Sequence, residues 1–387
     1  NPDRVIVASA TQSLFEALRD PAWANATVGL AAYDAGARDA VGPRPSIWPD
    51  LILARYPSRL RFDHDLKSVQ AIGCGASPAQ AQAAAQTAAA WLKAKDAVPA
   101  LAPPAASFEP EASDEAYRVA VADVVDRIGK GELFQANIAR AWTGGLRPGA
   151  EPFDVFLRLQ GGAASAFGAY WRIGDRALVS NSPELFVELD ARTRRIEARP
   201  IKGTRPRGGE RQVDKILARD LSESGKDRAE NLMIVDLMRN DLARVSEPGS
   251  VKVETLFEVE TLPTVHHLVS TVTGRARPEI SAADLLEAAF PAGSITGAPK
   301  HQAMKVIAQL EPPRGAWCGS LFLVEEAGSM TASVLIRTAS FERSDGRWSY
   351  RTQAGAGIVA DSRPQAELDE TAVKISAMRG ALIGEAS

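Results

Sequence analysis

The sequence predicts an α+β fold, and the order of its elements is the reason. Strand-like segments follow one another with short turns between them, which favours antiparallel pairing over the parallel sheet of a doubly wound fold. Helix-like segments with capping residues alternate with these strands, and no fixed-period repeat runs through the chain.

Residues 1–98 are interpreted as an N-terminal region of mixed structure. Alternating apolar residues predict strands at 5–8, 28–32, 51–55 and 69–74. Ser77 and Pro78 open an alanine- and glutamine-rich helix that runs to about residue 95, since proline is tolerated in a first turn. Residues 99–112 are rich in proline and small residues, so they are interpreted as a linker.

Residues 113–387 are expected to form the larger domain. Ser113 caps a helix over 116–130, whose apolar side chains keep helical spacing. Further strands are predicted at 132–142, 166–173, 177–180, 185–189, 319–324, 333–341 and 348–358. Further helices are predicted near 213–222, 226–244, 281–289, 300–310 and 364–382.

Composition indicates a globular chain, with 45% hydrophobic and 24% charged residues. No apolar run reaches the roughly 20 residues that span a bilayer, and a net charge of −3 gives no electrostatic basis for binding nucleic acid. Cys74 and Cys318 are too few for a disulfide framework, so a cytoplasmic location is expected. The first residues lack a signal-peptide pattern and an initiator methionine, which leaves open that native N-terminal residues are missing.

Two segments carry paired acidic residues at helical spacing. Asp227 and Glu230 are three residues apart, and so are Glu367 and Glu370, with Lys374 four residues further on. On a helix each pair shares one face. Carboxylates from two helices suit Mg²⁺, which takes few protein ligands and keeps several waters. A solvated acidic helix face is the alternative, and spacing alone does not decide between the two.

The second acidic helix follows a glycine-rich strand end. Gly355 and Gly357 would let backbone N–H groups approach a carboxylate closely, and a tight bulge is an equally good explanation. Ser362 or Asp361 is expected to be the N-cap of the helix.

Three further side chains are candidates for chemistry. Arg337 is flanked by apolar strand residues, where an arginine usually pairs with a carboxylate of the protein or of a ligand. Lys202 stands between Ile201 and Gly203 in a predicted turn; it is a usable nucleophile if desolvated, although a surface lysine is the commoner case. His267 is one of four histidines, and a lone histidine is more often structural than catalytic.

Two other segments resemble known motifs without matching them. The glycine-rich segment 290–300 has the wrong spacing for a phosphate loop, and His301 follows Lys300 where that motif requires serine or threonine. Cys74 lacks the flanking glycines of a nucleophile elbow, since Ile72 and Ala76 occupy those positions.

Taken together, these segments resemble the chorismate-binding enzyme family, which includes anthranilate, aminodeoxychorismate, isochorismate and salicylate synthases. The resemblance runs in order from about residue 114 to 382, and residues 49–51 and 62–64 resemble the family's N-terminal region more loosely. The matching segments are 182–184, 199–204, 229–241, 267–270, 290–300, 336–338, 355–362 and 367–374. The resemblance implies a sandwich of two large antiparallel sheets flanked by helices, with chorismate bound in a cleft.

The resemblance also implies roles for individual residues. The expected Mg²⁺ site, which also holds one substrate carboxylate, comprises Glu230, Glu367, Glu370 and Asp227, the last replacing the glutamate of anthranilate synthases. The other carboxylate is expected at Arg337, Lys374 and the backbone of Gly355 and Gly357. Glu184 and His267 are the acid–base candidates, and Ser294 is expected to contact the substrate.

Two positions distinguish the branches of the family. Isochorismate and salicylate synthases carry a water-activating lysine where this chain has Gln135, a poor base. Anthranilate synthases carry alanine where this chain has Lys202, and the lysine form resembles aminodeoxychorismate synthases. In that branch the lysine adds at C2 of chorismate as the C4 hydroxyl leaves, and ammonia then enters at C4 and expels the lysine.

The resemblance implies a partner as well. We find no glutaminase motif in the chain, so ammonia is expected from solution or from a glutamine amidotransferase subunit. The alternatives are anthranilate synthase, opposed by Lys202, isochorismate synthase, opposed by Gln135, and a catalytically silent chorismate-binding subunit.

Overall fold

The structure is a computed structural model that describes residues 1–8, 14–46, 48–93 and 102–384. Nine α-helices lie in these ranges: α1 (Tyr33–Val41), α2 (Pro78–Trp91), α3 (Asp114–Gly129), α4 (Pro152–Ala163), α5 (Arg211–Glu223), α6 (Gly225–Ala243), α7 (Ala282–Ala289), α8 (Lys300–Leu310) and α9 (Pro364–Ile383). Short 3₁₀ helices lie at Glu16–Arg19, Pro21–Trp23, Gly293–Ile295 and Glu326–Gly328.

The same ranges contain nineteen strands. They are β1 (Arg4–Ala8), β2 (Thr27–Ala31), β3 (Leu51–Arg55), β4 (Ser58–Asp63), β5 (Ser68–Gly73), β6 (Glu109–Pro110), β7 (Gln135–Gly145), β8 (Phe167–Ile173), β9 (Arg176–Ser182), β10 (Leu185–Leu189), β11 (Arg195–Ala198), β12 (Ile201–Pro206), β13 (Lys252–Thr261), β14 (Val265–Arg275), β15 (Gly297–Ala298), β16 (Ser320–Val324), β17 (Met330–Val334), β18 (Thr338–Ser344) and β19 (Arg347–Ile358).

Two large antiparallel sheets contain seventeen of these strands, and β4 and β5 pair with each other in a separate two-stranded sheet. The ten-stranded sheet has the order β1-β3-β2-β16-β17-β10-β11-β14-β12, with β13 also paired to β14. The seven-stranded sheet has the order β15-β7-β19-β18-β9-β8, with β6 also paired to β7. The predicted fold of two antiparallel sheets flanked by helices is therefore confirmed.

Buried apolar clusters hold the helices against the sheets. The largest cluster joins α6 and α7 to the ten-stranded sheet through residues such as Ile234, Leu286 and Val272. The seven-stranded sheet packs with α4 and α9 in one cluster and with α3 and α8 in another. A fourth cluster joins the two sheets, with Leu30 and Leu178 from opposite sheets. Burial of this apolar surface fixes the helices that carry the acidic pairs.

The N-terminal strands β1 to β3 extend the ten-stranded sheet, where β2 pairs with β16. The end of the predicted helix at 94–95 and residues 99–101 of the predicted linker lie outside the described residues. The division at 1–98, 99–112 and 113–387 stays a prediction. No helix in the described ranges has both the length and the apolar character needed to cross a membrane.

Several local predictions are confirmed and some are wrong. Ser77 and Ser113 cap α2 and α3, as their side chains accept backbone N–H groups. The single strand predicted at 333–341 is wrong, because Arg337 has a φ of 51° and separates β17 from β18. The strand predicted at 132–142 begins later, since Gly131 has a φ of 80° and turns the chain before β7. Helices α1 and α4 and strands β4, β6 and β11–β15 were not predicted.

Candidate active site

Lys202 lies in a bulge of β12. Strands β12 and β14 pair at Ile201 and again at Thr204, with a shift of register between the two positions. Gly203 has a φ of 89°, in the left-handed region that favours glycine. The predicted turn at Lys202 is therefore wrong: this lysine is on a strand, and a bulge redirects the side chain it carries.

The side chain of Lys202 is partly buried, and its amine forms no ion pair within the described residues. Its Nζ lies 3.2 Å from the point where a Cβ on Gly357 would stand. Within the described ranges it makes no hydrogen bond and no ion pair. Burial lowers the pKa of Lys202, and Lys374 acts in the same direction, while Glu230 and Glu184 oppose the change. More of the lysine is therefore in the neutral, nucleophilic form at neutral pH.

Glu184 is a buried acid beside this lysine. It lies between β9 and β10, is 5% exposed, and its backbone N–H donates to Ser182 Oγ. Burial raises the pKa of Glu184 to about 7, although the Ser294 hydroxyl and the charge of Lys202 act in the opposite direction. A carboxyl group with a pKa near 7 can both donate and accept a proton at neutral pH.

His267 on β14 is held by one ring nitrogen. Its Nδ1 lies 2.9 Å from Thr204 Oγ1, and its buried Nε2 has no partner in the described part of the chain. Burial lowers the pKa of His267 to about 4, and the charge of Arg337 contributes. The imidazole is therefore neutral at neutral pH, with Nε2 available to a ligand.

Glu230 on α6 and Glu367 on α9 share one cation. The Nζ of Lys226 is 3.9 Å from Glu230 Oε1 and 3.6 Å from Glu367 Oε1. The prediction that Ser362 or Asp361 caps α9 is wrong, because the N-cap is Arg363. The hydroxyl of Ser362 donates instead to Glu367 Oε1 at 2.7 Å. Burial raises the pKa of Glu230. The two carboxylates thus lie around one small positive charge.

Glu370 is paired one turn further along α9. Its Oε1 lies 2.6 Å from the Nζ of Lys374, which also donates to the carbonyl of Gly355 at 2.9 Å. Burial alone would raise the pKa of Glu370, but Lys374, together with Lys202, leaves it below its ordinary value. Lys374 is therefore connected to both the acidic helix and the glycine strand.

Asp227 has a different partner from the other acidic residues. Its Oδ2 lies 3.1 Å from an Arg205 nitrogen, and its side chain packs against Gly203. Asp227 is thus joined to β12, the strand that carries Lys202.

The acidic residues fit a metal ion that needs few protein ligands. No group of three or more His, Cys, Asp or Glu side chains in the described ranges is arranged to hold a metal ion by itself. Glu230 and Glu367 nevertheless hold a cation in common, the Lys226 ammonium. Carboxylate oxygens are the ligands that Mg²⁺ prefers, with water and substrate completing its shell.

Gly355 and Gly357 offer backbone N–H groups on the free side of β19. Ala139 and Asn137, their partners on β7, donate their N–H groups elsewhere. Both glycines therefore occupy non-hydrogen-bonded pairs, and their N–H groups point away from β7. On the other side, β18 pairs with β19 only as far as Thr352. This edge can receive an anion.

Arg337 is a second site for an anion. Its guanidinium makes no hydrogen bond or ion pair within the described residues, and burial lowers its pKa while Glu184 opposes this. An arginine that is desolvated without a protein carboxylate is suited to a ligand carboxylate.

Several buried polar atoms around Lys202 also lack partners. Gln135 is fully buried, neither of its amide atoms has a hydrogen bond in the described part of the chain, and its Nε2 lies near Gly357. Ser294 Oγ, close to Glu184, is likewise without a well-formed hydrogen bond. Buried donors and acceptors without hydrogen bonds destabilise the folded protein. A group of such atoms therefore indicates where a polar ligand binds.

The structure brings eleven of the twelve predicted site residues into one region, and Asp227 borders it through Gly203. Sequence reasoning missed Lys226 and Thr204. The i, i+4 spacing of Lys226 and Glu230 was a usable signal for the first. Thr204 gave no local signal, since it meets His267 through strand pairing.

Known proteins are similar to this chain in sequence over most of its length. A family described as chorismate binding enzyme matches residues 3–380. Aminodeoxychorismate synthase component 1 of Klebsiella aerogenes is 41% identical over 357 residues, covering 90% of this chain and 75% of the relative. The protein of the same name from Salmonella typhimurium is 39% identical over 356 residues, with the same shares covered.

A solved structure is similar throughout. The crystal structure of anthranilate synthase component I from Streptococcus pneumoniae superposes with a TM-score of 0.84 at 28% identity, covering 98% of this chain and 90% of that one.

Proposed function

This chain belongs to the chorismate-binding enzyme family, and from that premise we propose that it is the synthase component of an aminodeoxychorismate synthase. It would convert chorismate and ammonia to 4-amino-4-deoxychorismate, a precursor for 4-aminobenzoate and folate.

One observation carries the proposal: Lys202 is partly buried, has a lowered pKa and forms no ion pair within the described residues. A lysine that served only to attract an anion would stay charged and hydrated, whereas a nucleophile must lose its proton. The relatives named above support the same branch.

In the first step, Lys202 Nζ bonds to C2 of chorismate and the ring double bonds shift. The C4–O bond breaks, and the departing hydroxyl takes a proton from Glu184 and leaves as water. The pKa of Glu184, about 7, means that a large fraction of it is protonated at neutral pH. Neutral His267 can orient the hydroxyl through its unpartnered Nε2.

In the second step, ammonia bonds to C4, the double bonds shift back and the C2–N bond breaks. Lys202 leaves as a neutral amine, and the new ammonium at C4 gives a proton to the Glu184 carboxylate. Both side chains return to their starting forms, so two displacements place nitrogen at C4.

Charged groups on two sides would hold the substrate dianion. Arg337 and the N–H groups of Gly355 and Gly357 can bind one carboxylate, with Lys374 beside them. Glu230 and Glu367, with Glu370 nearby, would hold Mg²⁺ at the other carboxylate. A bound Mg²⁺ would neutralise that carboxylate and withdraw electrons from the ring.

Anthranilate synthase is the second candidate, favoured by the similarity to the Streptococcus pneumoniae structure. Both reactions start from chorismate and ammonia, so the nitrogen position separates them. That position follows from Lys202, which anthranilate synthases lack.

The test is a product assay with the purified chain. Chorismate, an ammonium salt and Mg²⁺ should give 4-amino-4-deoxychorismate by mass spectrometry and chromatography against standards. Glutamine should replace ammonium only after a glutamine amidotransferase subunit is added. Anthranilate as the main product would refute the proposal, and glutamine use by the chain alone would refute the need for the partner.

A further inference from the structure

Lys226 occupies the position between the two carboxylates of the proposed metal site. It is the second residue of α6, and its ammonium lies 3.9 Å from Glu230 and 3.6 Å from Glu367. The Glu367 side chain is 3% exposed and that of Glu230 is 14% exposed, whereas that of Lys226 is 44% exposed. The lysine thus reaches from the protein surface into a nearly closed acidic site.

This placement is unfavourable for the helix itself. The N-terminal turn of a helix carries a partial positive charge, which disfavours a lysine there. Asp227, the acidic residue of the same turn, is paired with Arg205 and not with Lys226. The lysine is therefore held inward by Glu230 and Glu367.

We propose that Lys226 is a built-in competitor for the metal ion, whose ammonium neutralises Glu230 and Glu367 in the metal-free protein and leaves when Mg²⁺ binds. This inference rests on the proposed function, because it takes Glu230 and Glu367 as the metal ligands. A divalent ion held by Glu230 and Glu367 would remove the attraction that holds the ammonium, and it would repel the ammonium directly.

The lysine has a route out of the site. Its stem is flexible, it is partly exposed, and Asp361 is close enough to attract its charge. Displacement toward solvent and Asp361 therefore needs only a rotation of the Lys226 side chain and leaves α6 in place. The metal-free protein avoids two buried unpaired carboxylates, and the cost is weaker binding of Mg²⁺.

The experiment measures Mg²⁺ affinity of the full chain by calorimetric titration with MgCl₂ alone. Lys226→Met should bind Mg²⁺ about tenfold more tightly than wild type, in the range typical of coupled binding equilibria. Lys226→Arg keeps the charge and should stay within about threefold of wild type. Lys215→Met, at an exposed lysine of α5, is the matched control and should not change the affinity.

A second measurement separates competition from a merely structural role. In chelator, Lys226→Met should melt at a lower temperature than wild type, and saturating MgCl₂ should raise its melting temperature more than that of wild type. If the role of Lys226 were only structural, Lys226→Met would remain less stable than wild type at every Mg²⁺ concentration. This result would overturn the inference.

The remaining outcomes are distinguishable. Suppose that Lys226→Met binds Mg²⁺ no more tightly than wild type and that Glu367→Gln does not bind it. This result would overturn the role of Lys226 and leave the metal site intact. If Glu367→Gln still binds Mg²⁺, the metal site is overturned, and the inference with it. The same holds if neither wild type nor Lys226→Met binds Mg²⁺.

Discussion

Lys202 and Lys226 lie near the same acidic residues but carry opposite shifts in pKa. Burial lowers the pKa of Lys202, whose amine forms no ion pair in the described part of the chain. Burial acts in the same direction on Lys226, but Glu367 and Glu230 outweigh it and raise the pKa. The difference teaches that contact geometry, more than burial alone, decides whether a lysine is a nucleophile or a counter-ion.

Removing the amine of Lys202 should have the largest effect. Lys202→Ala is expected to lower formation of aminodeoxychorismate at least about a thousandfold, since each factor of ten corresponds to about 1.4 kcal/mol of barrier. Some product of the variant should carry nitrogen at C2, because that carbon is no longer occupied. Initial rates and product mass spectrometry measure both effects.

Lys202→Arg is the control that keeps the charge without a usable nucleophile. A rate near wild type with nitrogen at C4 would show that Lys202 only attracts the substrate. Chorismate without ammonia should leave an adduct on the wild-type peptide that contains Lys202, detected by mass spectrometry.

Glu184→Gln should have the next largest effect, because it removes the proton donor beside Lys202. A loss of about a hundredfold or more in kcat is expected for a general acid. In the wild type, kcat/KM should fall as pH rises through about 7, where Glu184 of the free enzyme loses its proton. The variant should lose this dependence, and a pH profile identical to that of wild type would contradict the role.

The same carboxyl group should affect stability. Its pKa is about 7 in the folded protein and 4.5 in its unperturbed form, so the folded state binds the proton more tightly. The carboxyl group of Glu184 contributes up to about 3 kcal/mol to the free energy of unfolding. This contribution is greatest below pH 4.5 and is lost as pH rises from 4.5 to 7. Relative to Glu184→Gln, the wild type should therefore become less stable over this range in denaturant titrations.

Gly357→Ala should have the smallest effect and tests how tightly Lys202 is packed. The new Cβ would lie 3.2 Å from Lys202 Nζ and 3.0 Å from Gln135 Nε2. Displacement of the amine by a few tenths of an ångström should lower kcat about tenfold with little loss of stability. Gly145→Ala on the adjacent β7, where the nearest atom would be 3.8 Å away, is the control. Equal rates for both variants would show that this packing is unimportant.

The sequence predicted much of the site because many signals were local. Asp227 and Glu230 share a helix face wherever that helix lies, and the order of the motifs identified the family. The break at Arg337 was missed, since its apolar neighbours continue a strand pattern while its φ of 51° ends the strand. The sequence predicts a turn at Lys202 where the structure has a bulge, because a glycine is typical of both features.

By itself the sequence determined the antiparallel α+β architecture, the caps of α2 and α3, and the identity of the charged residues. Only the tertiary structure decided which charges on different helices and strands are paired. Lys226 meets Glu367 because α6 and α9 are brought together. Lys202 forms no ion pair within the described ranges, and a strand bulge places its amine against Gly357. The reason is physical: helix and strand patterns depend on near neighbours in the chain, whereas a pKa depends on charges and solvent within a few ångströms in space.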